Sequence, residues 1–174
     1  ESCLEFCERT GLYLPTEAQW EYAARGPERN IYPWGNVWDP HALCWSEKRG
    51  PSGKTFPVGT FPSGASWCGA LDLAGNVEEW CGDWYDDAYY KDSPRRNPTG
   101  PPQGITRVLR GGCWRNGGRI TCRSAYRGDL PPDNNGSTIG FRALSPVVTH
   151  EASDERDDTS ANDLRGWLSR LLGR

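Results

Sequence analysis

The chain has 174 residues, of which 36% are hydrophobic and 25% are charged. This length and composition predict one globular domain with its own core rather than a disordered chain. The net charge of −3 argues against nucleic acid as a partner, and no run of about 18 apolar residues exists to span a membrane. Because the sequence begins at Glu1, a signal peptide cannot be judged and the compartment stays open.

Two helices are predicted near the start of the chain. Residues 2–10 are predicted to be the end of the first, which Gly11 stops. Thr16 and Gln19 fit a capping box, in which each side chain satisfies a backbone N–H at a helix start. The second helix therefore begins after Thr16 and runs to about Arg25.

The remainder of the domain is predicted to be rich in loops, since the chain holds 21 Gly, 14 Pro and 9 Trp. Residues 26–70 are expected to be ordered loop with short strands such as 56–61. A strand is predicted over 106–109, loop over 115–138, and the last strand over 139–144.

The character of the sequence changes after residue 146. Residues 147–161 are acidic, lack aromatic side chains in their charged part, and are predicted to be a linker. Residues 162–174 are predicted to form a short amphipathic helix that docks on its own domain or on a partner or membrane surface. Its apolar face is Leu164, Trp167, Leu168, Leu171 and Leu172.

Cysteine and histidine supply restricts the chemistry. With two His, a zinc site built on two His or a Ser-His-Asp triad is close to excluded. The Cys count is odd, so the thiols cannot all pair within one chain. The seven are Cys3, Cys7, Cys44, Cys68, Cys81, Cys113 and Cys122.

Several segments together resemble the formylglycine-generating-enzyme (sulfatase-modifying factor) family. They are 14–26 (LPTEAQWEYAARG), 32–35 (YPWG), 57–59 (PVG), 72–80 (DLAGNVEEW), 107–112 (RVLRGG), 123–125 (RSA) and 140–142 (GFR). The resemblance covers residues 1–146 and lacks roughly the first third of the family domain. It implies an α+β, C-type-lectin-like fold that is loop-rich with little regular secondary structure, in which Trp20 and Tyr22 pack into the core.

The resemblance also implies a calcium site. By alignment, the ligands would be the side chains of Asp72 and Glu79 and the backbone carbonyls of Gly75 and Val77. Calcium takes such mixed sets of carboxylate and carbonyl oxygens. The alternative is that Asp72 and Glu79 only cap loops and pair with nearby arginines.

Family oxidases use two cysteines that bind copper and convert a protein cysteine to formylglycine. Alignment places Trp114 and Arg119 at those two positions. Cys113 and Cys122 lie nearby as weak catalytic candidates; they could be a displaced metal pair, a disulfide, or small buried hydrophobes. The family partner of Cys7 in a disulfide corresponds to Ala143, so that bridge cannot form.

Residues 114–138 are the candidate binding face for a protein or small-molecule ligand, because Arg, Tyr, Trp and Asn favour recognition surfaces. This segment resembles the variable segment of the variable proteins of diversity-generating retroelements. The chosen residues are Trp114, Arg115, Asn116, Arg119, Tyr126, Arg127, Asp133, Asn134, Asn135 and Thr138. Arg123 and Arg142 are instead expected to form fixed pairs with Asp or Glu.

The leading hypothesis is therefore a non-catalytic, calcium-supported binding module. One alternative is a copper-dependent formylglycine-generating oxidase. Others are a retroelement-diversified variable protein of the same fold, or an accessory domain with only structural value. Fold alone does not decide among them.

Overall fold

The computed structural model describes residues 2–115 and 118–146. Helix α1 spans Cys3–Thr10 and ends at Gly11, whose left-handed φ of 70° suits a residue without a Cβ. Helix α2 spans Glu17–Arg25 and has the predicted capping box between Thr16 and Gln19. A 3-10 helix, Pro62–Gly64, and a short helix α3, Tyr89–Asp92, complete the helical elements of the described chain. Local capping signals thus located α2 and the end of α1, whereas α1 also begins within the chain, with Ser2 as its N-cap.

Four strands form one mixed sheet. They are β1 Glu78–Trp84, β2 Arg107–Arg110, β3 Gly128–Leu130 and β4 Ile139–Gly140, in the order β3-β2-β1-β4. Strand β1 pairs antiparallel with β2 and parallel with β4, and β2 pairs antiparallel with β3. The predictions missed β1, β3 and α3, and the predicted last strand is shortened to its first two residues.

The core lies on both faces of β1 and β2, because neighbouring strand residues point to opposite sides. On one face, Trp20 and Ala24 of α2 pack against Cys81 and Val108. On the other face, Trp80 and Leu109 form a cluster that includes Cys7 of α1. The two helices therefore cover opposite faces of the sheet. The expectation for Tyr22 is wrong, since its side chain is 56% exposed.

The region before β1 is loop, as the composition predicts, but the strand expected over 56–61 is wrong. The backbone of Phe56 instead pairs with the side chain of Asn76: the Phe56 N–H donates to Oδ1 at 3.2 Å, and its carbonyl accepts from Nδ2 at 3.3 Å. An amide side chain takes the place of a partner strand. Pro57 removes the next backbone donor.

The linker and C-terminal helix predicted over 147–174 lie outside the described residues. Within the described ranges, no helix is long and apolar enough to cross a membrane. The region from Ser2 to Pro146 is the part of the molecule on which the candidate sites are built.

Candidate functional site

The two ends of segment 114–138 meet at Trp114. This side chain is buried, 8% exposed, and packs in a cluster with Cys44 and Phe61. Its indole Nε1 donates to the Ser137 carbonyl at 3.3 Å, and its backbone N–H donates to the Asn76 carbonyl at 3.0 Å. Trp114 is therefore an anchor under the face rather than an exposed contact residue.

Most of the polar side chains predicted for the face are exposed. Exposed positions are Arg115, Arg119, Asp133, Asn134 and Asn135, whereas Thr138 is half-buried. Since Trp114 binds the Ser137 carbonyl, Arg115 and the 133–138 loop lie on neighbouring parts of the surface. Asn116 lies outside the described residues.

Tyr126 and Arg127 belong to a different part of the structure. Arg127 is half-buried, and its Nε and Nη2 donate to the two carboxylate oxygens of Glu17 at 2.7 and 2.9 Å. Its Nη1 also donates to the Asp86 carbonyl at 3.1 Å. The Tyr126 carbonyl accepts from the guanidinium of Arg110. The structure thus places these two residues against α2 and β2 rather than beside Arg115.

In the segment predicted to bind calcium, both carboxylate oxygens of Glu79 already accept hydrogen bonds from other side chains. Glu79 is 5% exposed; its Oε2 accepts from Trp20 Nε1 at 2.7 Å and from Arg142 Nε at 2.6 Å. Its Oε1 accepts from Arg142 Nη2 at 2.7 Å. The fixed pair predicted for Arg142 is confirmed. Arg123 is exposed, and no carboxylate in the described ranges pairs with it.

The other predicted ligands lie in the loop before β1. Asp72 has a φ of 59°, and its Oδ2 accepts the Gly59 N–H at 2.7 Å. At Gly75 a Cβ would lie 2.1 Å from the Cys44 carbonyl oxygen, so only glycine allows this close approach. Val77 packs on Gly140. Across residues 2–115 and 118–146, no three His, Cys, Asp or Glu side chains are grouped as a metal site.

The thiols nearest the family's catalytic positions are inaccessible. Cys113 and Cys122 are both 0% exposed. Burial raises the pKa of the Cys122 thiol to about 12, which keeps it protonated at neutral pH. None of the seven cysteines, all within the described ranges, forms a disulfide, and Ala143 packs against the cluster that contains Cys7.

Two features of the site were missed from the sequence. Asp133, Asn134 and Asn135 line a cavity of about 400 Å³ together with Trp80 and Phe141. The guanidinium of Arg49 lies 5.6 Å from the ring of Trp114. The parallel pairing of β4 with β1 brings Gly140 beside Glu79, and so places the 133–141 loop next to Trp80. No local pattern in the sequence signals that pairing.

Comparison with known proteins identifies relatives of this arrangement. A family model described as "Sulfatase-modifying factor enzyme 1-like domain" matches residues 2–146. The serine/threonine-protein kinase Pkn1 of Chlamydia trachomatis is 43% identical over 140 residues, covering 79% of this chain and 22% of that protein. The formylglycine-generating enzyme of Streptomyces coelicolor is 38% identical over 156 residues, covering 78% of this chain and 47% of that protein.

A similar fold occurs in a solved structure. Treponema denticola variable protein 1 superposes with a TM-score of 0.69 at 36% identity, covering 78% of this chain and 48% of that one. The chain therefore spans between about a fifth and about half the length of these proteins. Their whole activities do not transfer to it on similarity alone.

Proposed function

Because the chain belongs to the sulfatase-modifying factor enzyme 1-like family, with residues 2–146 forming its α+β domain, we propose that it is a non-catalytic binding module of that family. Its proposed recognition surface is the exposed part of segment 114–138. The observation that carries this proposal is the burial of Trp114 under the face. The family resemblance adds that Trp114 and Arg119 correspond to the positions where the family's oxidases have cysteines. Trp114 is also packed into a cluster with Phe61, which serves as a support for a surface.

The remaining thiols support the same proposal. Copper-dependent chemistry needs thiolates that can reach a metal. Cys113 and Cys122 are fully buried, and the pKa of Cys122 is raised to about 12 by that burial. An oxidase built on this pair would have to open the core and pay for ionising a thiol far above neutral pH.

The character of the face supports recognition. Arg115, Asp133, Asn134 and Asn135 are exposed, and they mix charge with adaptable hydrogen-bonding amides. The Trp114–Ser137 hydrogen bond joins the two ends of the segment. Exposed loops whose ends are joined over a buried side chain suit a binding surface, since joined ends reduce the ordering entropy lost on association.

A variable protein of the retroelement type is the second candidate. The specific support is the similarity to Treponema denticola variable protein 1, at 36% identity and a TM-score of 0.69. This candidate uses the same surface, and it differs in predicting that loop positions such as Asn134 and Asn135 vary among copies of the gene while Trp114 stays fixed.

Calcium binding at residues 72–79 is a further proposal, and it depends on whether Glu79 can leave its ion pair. The donor types of Asp72 and Glu79 and the carbonyls of Gly75 and Val77 suit calcium. However, both oxygens of Glu79 are held by Arg142 and Trp20. Calcium at these residues would therefore compete with the guanidinium of Arg142, and its binding requires that ion pair to separate.

The first test of the proposed function is an assay for the oxidase. A peptide with the pattern Cys-x-Pro-x-Arg is incubated with the full chain, copper, reductant and oxygen, and its mass is then measured by mass spectrometry. We expect an unchanged peptide while a formylglycine-generating enzyme converts it in parallel. Conversion by this chain that is lost in Cys113→Ser and Cys122→Ser variants would overturn the non-catalytic proposal.

The second test addresses the surface. Arrayed glycans and peptides serve as probes for the labelled chain. The double variant Arg115→Ala and Asn135→Ala should lose any signal, whereas Arg95→Ala, an exposed arginine on another loop, should keep it. A signal that survives the double variant, or no signal from any probe, would count against segment 114–138 as the binding face.

A further inference from the structure

A cavity of about 530 Å³ lies along helix α2, and among the described residues of segment 114–138 only Arg127 lines it. Its volume falls in the range of small-molecule sites in proteins. The charged and aromatic residues that line it are Glu21, Tyr22, Arg25, Arg29, Tyr90 and Arg127. Three of these six side chains are arginines, so the lining itself points to the class of ligand.

The cavity has more positive than negative charge. Behind its wall, the buried carboxylate of Glu17 is bound by Arg127, and its Oε1 lies 3.6 Å from Nη1 of the buried Arg110. Glu21 bridges the other two cations: its Oε1 lies 2.6 Å from Arg25 Nη1, and its Oε2 pairs with Arg110. Three arginines thus share two carboxylates, which leaves the group with one net positive charge.

Arg29 adds a further positive charge at the cavity. No carboxylate in the described ranges forms an ion pair with it, although it lines the cavity beside Arg25. The carboxylate of Asp83 is buried beside Glu17, and its Oδ2 accepts the Glu17 N–H at 2.7 Å. Counting Asp83 as ionised, Arg25, Arg29, Arg110 and Arg127 exceed Glu17, Glu21 and Asp83 by one charge, and Arg29 is the exposed arginine of this group.

Two tyrosines give the cavity planar walls. Tyr22 is 56% exposed, and its ring stands edge-on to Trp67 with centroids 5.2 Å apart. Tyr90 is 42% exposed; its hydroxyl donates to Glu17 Oε2 at 3.2 Å, and the guanidinium carbon of Arg127 lies 5.1 Å from its ring. Both rings contact neighbouring side chains in the free protein, which reduces the entropy lost on binding.

We propose that this cavity is a binding site for a small oxyanion ligand, a carboxylate or phosphate carried on a planar body. Arg29 binds the oxyanion, because a guanidinium presents paired N–H donors that match two oxygens. Tyr22 and Tyr90 pack against the body of the ligand, as exposed aromatic side chains do at recognition sites. This inference is independent of the function proposed for segment 114–138.

The test uses three probes that share a phenyl ring: benzoate, phenyl phosphate and neutral benzyl alcohol. Binding to the full chain is measured by calorimetry and by ligand-observed NMR. We expect one or both anions to bind and the alcohol to bind at least tenfold more weakly. The relative affinity of benzoate and phenyl phosphate then distinguishes a carboxylate ligand from a phosphate ligand.

The matched variants are Arg29→Asn and Arg95→Asn, the second at an exposed arginine that does not line the cavity. Arg29 has a left-handed φ of 57°, which asparagine accepts better than most residues, so the substitution removes charge without straining the turn. Arg29→Asn should weaken anion binding at least tenfold with an unchanged melting curve, and Arg95→Asn should leave anion binding unchanged. Equal binding of benzyl alcohol, wild-type affinity in Arg29→Asn, or no anion binding at about 10 mM would each overturn the proposal.

Discussion

The buried carboxylate of Asp83 gives a prediction that follows from geometry and charge. The side chain lies on β1 and is 1% exposed. Its Oδ2 accepts the Glu17 N–H at 2.7 Å, whereas Oδ1 is buried without a hydrogen-bond partner. Burial, opposed by that hydrogen bond, raises the pKa of Asp83 from 3.8 to about 6. We predict that Asp83→Asn stabilises the protein at pH 7.5.

The sign follows from proton linkage. The folded state holds the Asp83 proton more tightly than the unfolded chain, so the free energy of unfolding falls as the pH rises from 3.8 to about 6, and is level above that range. A shift of about two units corresponds to roughly 3 kcal/mol, since one unit is about 1.4 kcal/mol. Asparagine keeps the shape and an acceptor for the Glu17 N–H but cannot ionise. We expect a gain of about 1–3 kcal/mol at pH 7.5 and little change at pH 4.

The assay is urea unfolding followed by tryptophan fluorescence at pH 4, 5, 6 and 7.5. Asp92→Asn, at an exposed aspartate, is the matched control and should change stability little at any of these pH values. A loss of stability in Asp83→Asn at pH 7.5 would refute the reasoning. So would the same difference from wild type at pH 4 and at pH 7.5, because the effect would then not come from ionisation.

Three further measurements test other parts of the structure. Arg142→Ala should lower the free energy of unfolding by about 3–5 kcal/mol, because Glu79 would stay buried without its cation; a loss in urea unfolding below about 1 kcal/mol would contradict a structural pair. Calcium should raise the melting temperature of Arg142→Ala more than that of wild type, since Glu79 is then free to bind it; no rise over EGTA in either protein would end the calcium proposal. Iodoacetamide at pH 8 should modify the exposed Cys68 but not Cys122 in the native chain, as checked by peptide mass spectrometry, and rapid modification of Cys122 would mean that its thiol is accessible.

The elements that the sequence predicts well are those whose signals are local. The capping box of α2 uses Thr16 and Gln19, three residues apart, and α1 ends at a glycine. The wrong expectation for Tyr22 can also be explained from local geometry. Tyr22 follows Trp20 by two residues, which turns its side chain about 200° around the helix, so the two side chains cannot face the same core. Helical geometry therefore excludes the arrangement that the family resemblance implied, in which both side chains pack into the core.

The central strand β1 could not be predicted, because the contacts that form it are distant in the sequence. It holds Glu79 and Asp83, two buried acids that break any alternation of apolar and polar residues. Their burial depends on partners elsewhere in the chain: Arg142 lies 63 residues beyond Glu79, and the Glu17 backbone lies 66 residues before Asp83. The same holds for Arg127, a predicted ligand residue that pairs with Glu17 at a separation of 110 residues.

The arginines of the C-terminal half connect this burial pattern to the proposed function. Arg110 precedes segment 114–138, Arg127 lies within it and Arg142 follows it, and each binds a carboxylate of α2 or β1. A buried ion pair is weak evidence for net stability, and in some proteins such pairs specify one arrangement of the chain. We expect that role here, since the described residues of the segment contain only a three-residue strand, β3. The exposed loops between these anchors can therefore change sequence without loss of the core, which is the property that a recognition surface on this scaffold requires.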